Sequence, residues 1–280
     1  MTPQLQAVFA DWSPPIFLTA MTILSALIYL RGWFLIRRTR RAQFPDWRLA
    51  SFLSGLAILW LSIGSPLDGF ADALLSAHMV EHLLLMSFVP PLLLLGAPAV
   101  PMLRGLPRFL AVPILGPLLR FSPLRNLMRL LVRPRVAWLL MNVAFLAWHI
   151  PVAYDFALQH ERWHDFEHIC FLTTSILFWW PIVRPWPSHT RPRGWYLLPY
   201  LLGADLVNTA LSAFLAFCGK PAYPYYIAQP NGFGIDLLTD QVTGAVIMWV
   251  IGSLVFLVPA ISITFSLLQH QSEFPHPTEK

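Results

Sequence analysis

The sequence predicts an all-α integral membrane protein: a seven-transmembrane helix bundle with its N-terminus outside and its C-terminus in the cytoplasm. Three observations carry this expectation. Charged residues make up only 12% of the 280 positions, against ~25% in an ordinary soluble domain, while hydrophobic residues make up 56% and mean hydropathy is +0.59. Seven apolar segments reach about the ~20 residues that a bilayer crossing requires. The basic residues, finally, are distributed along the chain with a strong two-sided bias. Disorder, collagen-like sequence and a disulfide scaffold are excluded by the same composition, since only Cys170 and Cys218 are present.

The expected spans are 14–36, 47–65, 72–95, 136–156, 165–183, 195–217 and 237–265, forming one membrane domain over 1–280. The first is read as a true span and not a secretory signal, because no basic residue precedes Arg31. The second follows an arginine-rich turn, Arg37 to Arg48. Pro90 and Pro91 lie late in the third and should kink it. Segment 96–135 alternates Pro, Gly, Leu and seven arginines, and reads as short amphipathic helices on the membrane surface. Pro181, Pro185 and Pro187 end the fifth span, beside a belt of Trp179, Trp180, Trp186 and Trp195. A Tyr-, Pro- and Gly-rich loop, 219–236, joins the sixth span to the seventh.

On this map one side holds 17 of the 19 basic residues, which makes it the cytoplasmic side; Arg162 and Lys220 alone fall outside. The net charge of +5 is the remainder of that asymmetry. Lipid headgroups account for the arginines, and no nucleic-acid partner is expected. The expected location is a bacterial cytoplasmic membrane.

Orientation then sorts the histidines. His189, His270 and His276 fall in cytoplasmic segments. His78 and His82 share one face of span three at i, i+4, and His164 and His168 repeat that spacing at the start of span five. His149 lies near the outer end of span four, so five imidazoles on three helices fall at one depth. A lone intramembrane histidine is commonly a hydrogen-bonded packing residue. Two i, i+4 pairs at matching depth point instead to metal, because ionisable groups in a bilayer are expensive and usually functional. Asp72, Glu81, Asp155 and Asp240 are auxiliary candidates that could orient the imidazoles or ligate directly.

Asp205 and Asn208 read as an interhelical polar contact or an ion relay, Cys218 as a small packing residue or a soft ligand. Met79, Met86, Met141 and Met248 are scattered in sequence and are explained by packing. Imidazoles suit copper and zinc alike; a haem between facing histidines and a di-iron membrane oxidoreductase are the alternatives.

Three blocks of sequence resemble the seven-helix CtaG family of cytochrome c oxidase (caa3-type) assembly factors. They are His78-Met-Val-Glu-His82 running into Pro90-Pro91 and Gly96-Ala-Pro98; Trp148-His149-Ile-Pro151 with Tyr154-Asp155, His164 and Glu167-His168; and Asp240-Gln241 with Gly244 and Met248-Trp249. Two departures stand out: Glu81 where Gln is expected, and no proline before Gly252. The resemblance implies a metal-binding chaperone without catalysis, delivering copper to an oxidase, with oxidase subunits or other assembly factors as partners.

Overall fold

The computed structural model describes residues 9–10, 12–107, 109, 113, 116–186, 194–228 and 232–272, and every regular element among them is helical. Of the expectations above, those for Pro187, His189 and His276 lie outside the described residues. Helix α1 (Ile16–Arg37) and α2 (Asp46–Ile63) match the first two expected spans closely.

The third span differs from expectation at its start. A short helix α3 (Pro66–Ala73) comes first, capped by the Ser65 hydroxyl, which accepts from the Leu67 N–H. Leu74 is extended, and α4 (Leu75–Leu95) begins anew behind it. Asp72 therefore belongs to α3 and not to the span. The prolines act locally: α4 widens into a π-turn at Leu84–Phe88, just before Pro90. Pro90 has no N–H for the Met86 carbonyl, and the Trp179 indole donates to that oxygen instead, at 3.0 Å.

The arginine-rich connection forms short helices, α5 (Ala99–Gly105), α6 (Gly116–Arg120) and α7 (Ser122–Leu131). Helix α5 lies against α1 with the backbones nearly touching: a Cβ on Gly105 would sit 1.8 Å from the Ile28 carbonyl oxygen. The fourth span is a correction. Helix α8 (Pro134–Trp148) stops at His149, Ile150 is extended, and α9 (Pro151–Leu158) follows separately. The cause is Pro151, which drives its predecessor out of the helical region and starts the next helix. Alone, α8 is short for a crossing; α7 and α8, bent by 71°, make up the seventh apolar unit beside six full-length candidates.

The remaining helices are α10 (Glu161–Val183), α11 (Leu197–Phe217), α12 (Pro224–Ala228) and α13 (Leu237–Ser272), the last running past the expected 265. The main core is built from α4, α8, α10, α11 and α13; a smaller one, around Tyr29, Trp33 and Phe52, joins α1 to α2. Helix α4 is the centre of the bundle. Some 61% of its best apolar window is buried, against 17% for α1, which faces lipid.

Candidate metal centre

Helices α4 and α10 run in the same sense, and each carries the pattern H-x-x-E-H: His78, Glu81, His82 on one and His164, Glu167, His168 on the other. In an α-helix positions i, i+3 and i+4 share a face. The two faces meet. Glu167 Oε1 lies 3.7 Å from His82 Nε2, and Glu81 Oε1 lies 3.6 Å from His168 Nε2. Each carboxylate thus faces an imidazole of the other helix, too far for a hydrogen bond.

The imidazoles are close-packed. Ring centroids are 4.1 Å apart for His78 and His82, 4.2 Å for His164 and His168, and 5.3 Å for His78 and His164. His78 and Glu81 have no solvent exposure, and Glu167, His82 and His168 almost none; His164 is half-buried. Ligand atoms of His78, His82 and Glu167 lie within 4.8 Å of one another, as do those of His78, Glu81 and His164. Two imidazole–imidazole–carboxylate triads therefore share His78.

Both nitrogens of His78 and His82, both oxygens of Glu81 and Glu167, and Nε2 of His149, His164 and His168 are buried without a hydrogen-bond partner. So dense a set of orphaned polar atoms is unusual, because an unpaired buried polar group costs about 1–3 kcal/mol. Buried charges are ordinarily paired or ligate metal.

His149 stands at the edge. It is buried, its Nδ1–H donates to the Phe145 carbonyl oxygen at 2.7 Å, and its ring lies 6.1 Å from His82. That bond fixes the tautomer and leaves the Nε2 lone pair free. His149 belongs to neither triad.

The auxiliary carboxylates separate. Asp240 touches no imidazole through a hydrogen bond; it accepts the backbone N–H groups of Leu75 (2.7 Å) and Ser76 (3.2 Å) and the Ser76 hydroxyl. It caps the helix that carries His78 and His82. Asp155 accepts from the Tyr225 N–H at 3.2 Å and anchors the loop. Asp72 is exposed on α3. Glu81 is the one auxiliary candidate that meets the histidines, and its counterpart Glu167 was absent from the expected ligand set. The signal for Glu167 was available in the repeated H-x-x-E-H.

Three tyrosines roof the cluster. Tyr154 stacks on Tyr223 at 4.0 Å and lies 5.1 Å from His78. The Tyr226 hydroxyl donates to the Ala71 carbonyl, and that of Tyr223 to the His149 carbonyl. Beside the cluster a cavity of about 460 Å³ reaches His164 and His168 and is lined by Asp68, Glu161 and Asp165. Burial and the neighbouring carboxylates Asp72, Asp165 and Glu161 raise the Asp68 carboxyl to about 6. Asp205 accepts from Ser253 and Asn208 donates to the Met248 carbonyl, both interhelical ties. Cys218 is held by Gln241 away from the histidines.

An all-helical, multi-pass membrane protein with a buried imidazole–carboxylate cluster is thus the class that fold and site define. Over residues 27–270 the sequence matches the family described as cytochrome c oxidase caa3 assembly factor (Caa3_CtaG), and the chain belongs to that family. Similar curated proteins are uncharacterized protein Mb0105 of Mycobacterium bovis and uncharacterized protein MT0111 of Mycobacterium tuberculosis. Each is 28% identical over 284 residues, covering 95% of this chain and 40% of the relative. Uncharacterized protein ML1998 of Mycobacterium leprae is 28% identical over 220 residues, covering 78% of this chain and 32% of that protein. The chain thus spans well under half the length of these relatives. No solved structure matches.

Proposed function

We propose that this chain is a metal carrier in the assembly of cytochrome c oxidase, holding copper on its paired H-x-x-E-H motifs as cargo and performing no catalysis. The histidine end of the bundle faces outward from a bacterial cytoplasmic membrane, as the arginine bias of the opposite end supports. Oxidase subunits or fellow assembly factors are the recipients.

The carrying observation is the pair of fully buried carboxylates, each within 4 Å of an imidazole of the opposite helix and neither facing a Lys or Arg among the described residues. With neutral imidazoles and both carboxyls deprotonated, as ligation requires, the cluster would carry a formal charge of −2, which one divalent cation balances. Nitrogen and carboxylate donors suit Cu(II), Zn(II) and Fe(II). Asp68, Glu161 and Asp165 on the adjoining cavity form an acidic approach for such a cation.

One observation favours a second reading. Two histidine–histidine–carboxylate triads sharing a residue are also the donor set of non-haem iron enzymes. Haem gains no support, because the rings pack at 4.1–5.6 Å with no planar slot between the two helices. Elemental analysis with an absorption spectrum separates the readings, on purified wild type against His78→Ala/His82→Ala and Glu167→Gln. The carrier predicts near-stoichiometric copper that falls at least tenfold in both variants. Iron with oxygen-dependent turnover would establish the enzyme instead, and metal content unchanged by the double substitution would sink the site.

A further inference from the structure

The four methionines that the sequence scatters across three helices come together. Met79 and Met86 of α4, Met141 of α8 and Met248 of α13 line one cavity next to the carboxylate cluster. All four are at most 8% exposed, whereas Met21 and Met128 face outward and Met102 is half-buried. The buried methionines of the described residues therefore all converge on a single space. His82 and His149 line it from the side of the cluster. His149 is 95% buried, its Nδ1–H is committed to the Phe145 carbonyl, and its Nε2 has no partner. An imidazole with one uncommitted nitrogen thus lines a chamber that four thioethers also line.

The chamber's size and chemistry restrict its occupant. Its volume is about 40 Å³, room for one water-sized body. No carboxylate lines it and its oxygen donors are the neutral side chains of Ser87, Asn142 and Asn208, so no negative charge there would offset the dehydration of a divalent cation. Thioether sulfur is a soft, neutral donor that selects Cu(I) over Zn(II) and Mg(II), and a monovalent soft ion sheds its water at far lower cost. Packing alone would use methionine as a gap-filler, but it does not account for the unpartnered imidazole nitrogen at the wall.

We propose that the Met79, Met86, Met141 and Met248 cavity, with His149 Nε2, is a second metal site that takes a soft monovalent ion, Cu(I) or Ag(I). It rests on the reading of this chain as a metal carrier and extends it: the carboxylate cluster accepts a hard or borderline divalent ion, and the adjoining chamber accepts the reduced, soft form. No electron transfer between the two is implied.

The test uses the purified full-length chain titrated with Ag(I) in chloride-free buffer, and with Cu(I) against a competing chelator. Metal-edge X-ray absorption reads the neighbours. The expected result is one tightly bound ion with sulfur in its coordination shell. Met141→Leu/Met248→Leu, a volume-conserving change, should weaken that binding at least tenfold while Zn(II) uptake at the carboxylate cluster stays as in wild type. Uniform selenomethionine substitution provides the same readout without a variant, as a selenium neighbour around Cu(I). Nitrogen and oxygen neighbours alone, or unchanged Ag(I) affinity in the double variant, would overturn the site. Divalent uptake unchanged in Glu167→Gln, with Ag(I)–sulfur scattering intact, would instead overturn the reading of the carboxylate cluster and leave the chamber standing.

Discussion

Asp240 offers the sharpest separation of structural from chemical roles. Its carboxylate, 3% exposed, accepts from the backbone N–H groups of Leu75 and Ser76 and from the Ser76 hydroxyl. These N–H groups belong to the first turn of α4, one turn before His78, where a negative charge also complements the helix dipole. Asp240→Ala strands the buried Leu75 N–H, at about 1–3 kcal/mol, and the half-buried Ser76 N–H, at less, so the substitution should destabilise the protein by about 2–4 kcal/mol. Asp240→Asn keeps an acceptor oxygen and should lose less than half of that. Unfolding in mixed micelles measures both, with metal content assayed at a temperature where the variants remain folded. Metal should stay within twofold of wild type. A loss below about 0.5 kcal/mol for the alanine variant, or metal lost at unchanged stability, would refute the capping argument.

Gly105→Ala should be severely destabilising, because its Cβ would stand 1.8 Å from the Ile28 carbonyl oxygen and force α1 and α5 apart by more than an ångström. Overpacking of that kind costs about 1–3 kcal/mol or more. Gly116→Ala, with nothing within 4 Å of the added carbon, is the internal control, and equal melting temperatures for the two would contradict the close approach. Asp68 governs a pH effect. Its folded-state value of about 6 lies above the ordinary carboxyl value, so the stability it contributes is full below about pH 4 and is lost as pH rises through 6. Wild type should therefore lose more thermal stability between pH 5 and 7.5 than Asp68→Asn does; identical losses would remove Asp68 as the source.

The fold was legible in sequence because bilayer crossing imposes length and hydropathy directly. Six apolar stretches became six helices with ends shifted by a few residues. The fourth span failed for a local reason: Ile150 and Pro151 are as apolar as their neighbours, so hydropathy ran through a break that only the conformational preference of the pre-proline residue signals. The histidines were legible from their i, i+4 spacing. Asp240 was misread because a carboxylate near a span end looks the same whether it meets an imidazole or a helix N-terminus. The methionine chamber was invisible to any single-helix pattern, since its walls come from three helices whose methionines lie 55 to 169 positions apart, joined only by helix packing.

The two H-x-x-E-H motifs are alike in chemistry but not in access. The copy on α10 borders the acidic cavity, with His164 half-buried at its rim; the copy on the central helix α4 has almost no contact with solvent. A site assembled from two equivalent halves thereby acquires a direction. On the proposed carrier function, an ion arriving through that cavity would meet His164 and His168 before His82 and His78. Its dwell time on the inner pair would then depend on access past the outer pair as well as on ligand strength.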